Sequence, residues 1–134
     1  ILGSYVGVME QQLEQCVSYA RSRKQFGQPI GKFQSISNRV ATMKVRLETA
    51  RLLLYQTAWL KKQGKPAQME AAMAKLYLSE VFVESSMDAM RVHGGYGYTT
   101  ELGIERDLRD ALGGIFYSGT SDIQRNIIAR HLGL

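Results

Sequence analysis

The chain has 134 residues, 45% of them hydrophobic, and a net charge of +5, which fits one domain with one sizeable core and leaves anionic ligands open. Its basic residues are scattered over several segments rather than lined along one, so nucleic acid is set aside. A lone Cys16 excludes an internal disulfide, the two histidines show no metal-ligand pattern, and no apolar run is long enough to cross a membrane.

The chain opens with Ile1 inside an apolar pattern and with no visible signal peptide, so we expect a piece of a longer protein. Val6, Met9, Leu13, Val17 and Ala20 recur at intervals of three and four, which predicts a helix from residue 1 to about 22 with one buried face. Its early small residues, Gly3, Ser4 and Gly7, allow another backbone to come close. Arg21-Ser22-Arg23-Lys24-Gln25-Phe26-Gly27 follows, and Gly27, Pro29 and Gly31 break the helix. Cations in a last helical turn answer the dipole. An arginine beside an aromatic at a helix end also suits a diphosphate and a flat ring.

Residues 33–63 show Ile36, Val40, Met43, Leu47, Ala50 and Leu54 at heptad-like spacing, the seam of a bundle helix. Trp59 is assigned to core or interface, and Gly64-Lys65-Pro66 stops the helix. A second long helix over 67–92 carries Met69, Met73, Leu76, Val83, Met87 and Met90 in a similar row, read as core filling. Glu80 in that row calls for a cation on a neighbouring helix.

His93-Gly94-Gly95-Tyr96-Gly97-Tyr98 reads as a glycine turn that ends the helix and lets backbone approach a ligand or another chain. A short helix over 101–112, capped by Thr99 or Thr100, carries charges of alternating sign and is broken by Gly113-Gly114. Gly119-Thr120-Ser121-Asp122 is written as a capped start for a last helix ending near His131. Its spare N–H groups offer a phosphate a resting place. Nothing follows a βαβ pattern. The fold class is therefore all-α: an up-down four-helix bundle with a short extra helix, over residues 1–134.

Five motifs, in this order, carry a resemblance over essentially the whole chain: Arg23-Lys24-Gln25-Phe26-Gly27, Phe33-Gln34, His93-Gly94-Gly95-Tyr96-Gly97-Tyr98, Arg109-Asp110-Ala111 and Gly119-Thr120-Ser121-Asp122-Ile123-Gln124-Arg125. Together they resemble the C-terminal helical domain of the acyl-CoA dehydrogenase family. The resemblance implies an FAD-dependent enzyme that removes the α hydrogen of an acyl thioester as a proton and a β hydrogen as hydride. It implies acyl-CoA or a related thioester as substrate, electron-transferring flavoprotein as a partner, and a homo-oligomer, dimer or tetramer, with FAD across a subunit interface. A cytoplasmic setting is expected, or the mitochondrial matrix in a eukaryote. The family's full subunit adds an N-terminal helical domain and a middle β domain, and without them this piece is expected to be inactive.

Carried over by position, Arg23, Gln25 and Phe26 resemble contacts to the FAD of a neighbouring subunit. Gly95 resembles the glycine that lies against the FAD diphosphate, and Thr120 and Asp122 resemble contacts near the last helix. Arg91 stands where the family often has Gln, and its guanidinium also suits a diphosphate. These spots are expected to converge on one flavin cradle when chains assemble. Ser118 occupies the slot of the family's Glu base and is far too weak a base to replace it. Three explanations stand: a base upstream of Ile1, as in the isovaleryl-CoA branch of the family; a base-lacking partner subunit or assembly module; or different flavin chemistry.

Overall fold

In the computed structural model, which describes residues Ile1–Leu134, helix dominates and the predicted apolar spacings become packed faces. Helix α1 (Leu2–Ser22) buries Tyr5, Val6, Met9, Gln12, Cys16 and Ala20. It ends at Arg23, where the backbone turns extended. Two short antiparallel strands follow, β1 (Lys24–Gln25) and β2 (Gln28–Pro29), with Gln25 opposite Gln28. Phe26 and Gly27 between them have φ of 54° and 79°, the positive pair that a two-residue hairpin turn requires. Strands of two residues are too short to show alternation, so sequence periodicity could not register this hairpin.

After a 3₁₀ turn (Ile30–Lys32), helix α2 (Gln34–Lys62) buries Met43, Leu47, Ala50 and Thr57, the middle of the expected seam. Helix α3 (Gln68–His93) returns antiparallel: Thr57 bonds to the Glu70 carbonyl, while Arg46 and Arg39 reach Asp88 near the far end. Helix α1 runs parallel to α3, with Tyr5 against Phe82, Gln12 bonded to Ser86 and Tyr19 against His93. Helix α5 (Ile104–Gly114) descends along α3, Ile104 packing with Ala89 and Val92 while the Gly114 carbonyl accepts from Lys75. Helix α6 (Ser121–His131) joins through Arg125 and Glu80, 2.5 Å apart, the cation that Glu80 called for. Thus α3 is the central strut, flanked by α1, α2, α5 and α6, and the all-α, up-down bundle stands. Each fully buried core side chain, such as Met9, Met43, Leu47, Leu78 or Ile104, contributes about 1.5–3 kcal/mol.

The methionine row of α3 is not its buried face. Met87 is exposed and Met69, Met73, Leu76, Val83 and Met90 are half-buried, whereas Ala72, Ala74, Leu78, Val81, Phe82, Ser85, Ser86, Ala89 and Val92 are buried. A helix with four neighbours needs small side chains where backbones crowd, so alanine and serine go inside. Trp59 is not core either; it is 54% exposed, with the Lys65 ammonium 5.1 Å from its ring centroid.

The glycine segment after α3 is not an irregular turn throughout: Gly95–Tyr98 winds into one helical turn, α4. A Cβ on Gly97 would lie 2.9 Å from the Met90 carbonyl oxygen, so only glycine lets α4 fold back onto the end of α3. Helix α5 begins three residues later than expected, at Ile104 after left-handed Gly103, and neither threonine caps it. The Thr99 hydroxyl is spent on the Tyr96 carbonyl at 2.9 Å. Gly113 and Gly114 are the last residues of α5 rather than a break after it.

Candidate functional site

Three helix ends meet at one corner. Helix α1 stops at Arg23, α3 stops at His93, and Gly94, with φ of 59°, turns the chain into α4. Between them lies a cavity of about 560 Å³ lined by Arg23, Gln25, Arg91, His93, Gly95 and Tyr96, among others.

Arg23 holds its guanidinium 5.7 Å from the Tyr96 ring centroid, a cation–π contact. It takes part in none of the chain's ion pairs. Arg91 touches the Asp88 carboxylate at 3.4 Å and keeps 58% of its side chain exposed. Asp88 itself is buried and receives Arg39 and Arg46 at 2.6 Å each. Burial alone would push its carboxyl up, but the hydrogen bonds from Arg46 and Arg39 overcome this and hold it below the usual carboxylate range. Three guanidinium groups thus share one buried carboxylate, and only Arg46 has a second, Glu84 at 2.8 Å. The corner is left with net positive charge facing the cavity.

Gly95 contributes bare backbone: a Cβ there would meet nothing within 4 Å, so the space above it is open. His93 is 5% exposed and packs against Tyr19 in a tilted pair with ring centroids 4.4 Å apart. Burial lowers its pKa, partly offset by the hydrogen bond to the Ala89 carbonyl. Two guanidinium groups, an amide, open glycine backbone and flat rings form a donor-rich hollow, the chemistry that receives a diphosphate joined to a planar group.

Four of the expected residues therefore come together in one chain: Arg23, Gln25, Arg91 and Gly95. Phe26 does not join them. It sits on the hairpin tip, 92% exposed and edge-on to Phe33 with ring centroids 6.0 Å apart. Thr120 and Asp122 also lie elsewhere. Their helix meets α3 at Glu80, eleven residues before Arg91, or about 16 Å along a helix axis. A single chain thus forms two separate spots rather than one cradle.

At this second spot Thr120 caps α6, its Oγ1 accepting from the Ile123 amide at 3.4 Å. The Thr120 hydroxyl proton remains available to an outside acceptor. Asp122 faces solvent with Arg125 at 3.4 Å. Ser118 takes φ of 58°, and only its carbonyl is engaged, by Gln124 Nε2 at 3.4 Å. Buried Gln124 also donates to the Gly119 carbonyl at 3.3 Å and so pins the turn. No base bonds the Ser118 hydroxyl.

Asp88 lies outside the motifs, and His93 and Gln124 stand inside them with no role assigned. Asp88 leaves one trace, its i,i+3 spacing from Arg91. The roles of the other two leave no trace, because they rest on burial.

A helical bundle with a donor-rich hollow where its helix ends meet is the class that fold and site define. The profile of the family described as acyl-CoA dehydrogenase, C-terminal domain, matches residues 1–133, and the chain belongs to that family. It is 50% identical over its full length to L-prolyl-(peptidyl-carrier protein) dehydrogenase of Pseudomonas fluorescens, covering 35% of that protein. The crystal structure of the prolyl acyl carrier protein oxidase AnaB superposes with a TM-score of 0.97 at 54% identity, covering 99% of this chain and 35% of that one. Butyryl-CoA dehydrogenase from Megasphaera elsdenii gives 0.96 at 38% identity, over 99% and 35% of the two chains. The chain thus spans about a third of the length of the curated relatives it matches. No helix is long and apolar enough to cross a membrane.

Proposed function

We propose that this chain is the C-terminal, flavin-nucleotide-binding domain of an FAD-dependent dehydrogenase of acyl thioesters, and that its substrate is a prolyl group carried on a carrier protein. The cavity shared by Arg23, Gln25, Arg91 and Gly95 carries the first part. Its donors fit an FAD diphosphate, and one similar structure, at 47% identity, is an FAD complex of PigA. The second part rests on the relatives named for prolyl carrier-protein chemistry, at 50% and 54% identity, against 38% for the butyryl-CoA enzyme. Acyl-CoA is the alternative substrate.

Bound FAD supplies a two-electron acceptor for the β hydride. In this reading Arg23 and Arg91 would hold the diphosphate, with the Gly95 backbone beside them. Thr120, at the second spot, would offer its free hydroxyl proton to the flavin of another copy. Phe26 and Asp122 face outward, where a second copy in a homodimer or homotetramer would meet the cofactor. Ser118 cannot accept the α proton, because its hydroxyl is too weak a base. Proton abstraction is therefore assigned to a carboxylate outside Ile1–Leu134. A partner that takes the electrons is suggested by the caffeyl-CoA reductase-Etf complex subunit CarC of Acetobacterium woodii, 43% identical. The prolyl and butyryl-CoA relatives are named as enzymes, which favours this reading over a purely structural assembly module.

The test uses the full-length protein with a redox dye as electron acceptor. Prolyl thioester on its carrier protein should be oxidised at least about tenfold faster than prolyl-CoA or butyryl-CoA, the discrimination that roughly 1.4 kcal/mol of extra transition-state binding supplies. Equal or faster oxidation of a CoA thioester contradicts the carrier-protein assignment. No oxidation of any thioester contradicts the dehydrogenase reading.

A further inference from the structure

His93 is buried at 5% exposure and lines the same cavity as Arg23 and Arg91. Its Nδ1 lies 2.8 Å from the Ala89 carbonyl. A carbonyl only accepts, so Nδ1 carries the ring proton and the neutral imidazole leaves Nε2 as a lone-pair acceptor. Nε2 has no hydrogen-bond partner in the chain. The ring is packed against Tyr19, with centroids 4.4 Å apart and planes tilted by 32°, which limits its swing.

The lining groups near it include strong donors: two guanidinium groups and the backbone N–H groups around Gly95. The two guanidinium groups and the backbone N–H groups suit phosphate oxygens. A free acceptor beside those donors matches a ligand that brings its own hydrogen beside its phosphates. A bare phosphate does not, whereas an adenosine diphosphate unit does, through its ribose hydroxyls and exocyclic amine.

We propose that His93 Nε2 accepts a hydrogen bond from a donor on the adenosine half of the bound dinucleotide, making His93 the residue that separates FAD from flavins lacking that half. This deepens the flavoprotein reading above and rests on it. A ligand without that donor forgoes the hydrogen bond, so the chain selects the whole dinucleotide over a mononucleotide.

The test compares FAD with FMN, which lacks the adenosine half, by equilibrium titration of the full-length apoprotein. His93→Phe keeps a flat ring for Tyr19 and removes the acceptor, whereas His93→Gln offers a carbonyl acceptor in its place. His93→Phe should weaken FAD binding about tenfold and leave FMN binding unchanged, and His93→Gln should recover most of the FAD affinity. Wild-type FAD affinity in His93→Phe overturns the assignment, as does an equal loss for FMN. If His93→Phe does not fold, His93→Leu, which also removes the acceptor, takes its place: loss of selectivity for FAD over FMN is expected, and selectivity near that of the wild type overturns the assignment. A wild-type protein that binds neither flavin overturns the flavoprotein reading and this assignment with it.

Discussion

Asp88 organises the positive corner. It is buried, and three arginines converge on it: Arg39 and Arg46 at 2.6 Å and Arg91 at 3.4 Å. Its folded pKa is depressed, so its contribution to stability is present above the unfolded value of about 3.9 and lost as pH falls through the lower folded one. Asp88→Asn keeps the shape and removes the charge. We expect it to cost about 2 kcal/mol at neutral pH, the lower side for a buried pair because Arg39 and Arg46 are partly solvated. Urea unfolding of the chain at several pH values measures both effects. The variant should also lose part of the stability decline below about pH 4. A variant as stable as the wild type at pH 7, with the same acid limb, contradicts this role.

Gln124 works at the same scale on the second spot. Its amide holds the Ser118 and Gly119 carbonyls from a buried position. Gln124→Ala should loosen that turn and cost about 1–2 kcal/mol. Hydrogen exchange should rise at Gly119 and Thr120 and remain unchanged in α2. Uniform exchange across the chain, or none gained at the turn, speaks against the pinning role.

Among elements, the fit of α5 against α1 depends on missing side chains. A Cβ on Gly114 would come 2.9 Å from the Tyr5 hydroxyl oxygen, and one on Gly113 would come 3.2 Å from Tyr117 Cε1. The two tyrosines meet there, Tyr5 donating to Tyr117 at 2.7 Å. Gly3 and Gly7 in α1 differ, since a Cβ at either would meet nothing within 4 Å. Gly114→Ala should therefore destabilise the chain by about 1–3 kcal/mol through overpacking. Gly7→Ala should stabilise it by about 0.5–1 kcal/mol through helix propensity. Chemical denaturation of the two variants reads the contrast, and equal effects of the same sign contradict it. If Gly7 is kept small for another backbone, the same Gly7→Ala change should lower activity in the full-length protein.

The elements also show what was legible beforehand. The faces of α1 and α2 could be read from spacing, because each has one main buried side. The face of α3 could not, since a helix with neighbours on several sides buries serine and alanine and breaks the apolar period. The hairpin and α4 were too short to leave a period. Lys75 gave no signal as a core residue, yet it is buried with its ammonium 2.7 Å from the Gly114 carbonyl at the C-terminal end of α5, where the helix dipole favours a cation. In the site, Arg23 and Gly95 stood out as motif residues. Their meeting with Arg91 depends on the parallel run of α1 and α3, which no local pattern encodes.

At the scale of the whole molecule, Val45, Leu52, Tyr55 and Trp59 are all exposed on α2, at intervals of seven, three and four. That is the spacing of a helix seam with no partner inside the chain. The expected homo-oligomer has a ready surface here. Leu52→Glu should leave the fold intact, since Leu52 is 68% exposed, and should shift the solution mass of the full-length protein toward monomer. An unchanged mass, measured by light scattering, removes this face from the assembly.

The separation of the two spots in one chain has the same consequence for the cofactor. If Arg23 and Gly95 serve one flavin and Thr120 another, binding and assembly rise and fall together. The most direct measurement is the visible absorbance of the purified full-length protein and of its Arg23→Ala, Arg91→Ala double variant after addition of FAD. The wild type should show the flavin band at about one FAD per subunit, and the double variant should hold little or none while remaining folded. A colourless wild type that takes up no FAD, or a double variant that binds FAD as tightly as the wild type, contradicts the assignment of this corner to a flavin diphosphate.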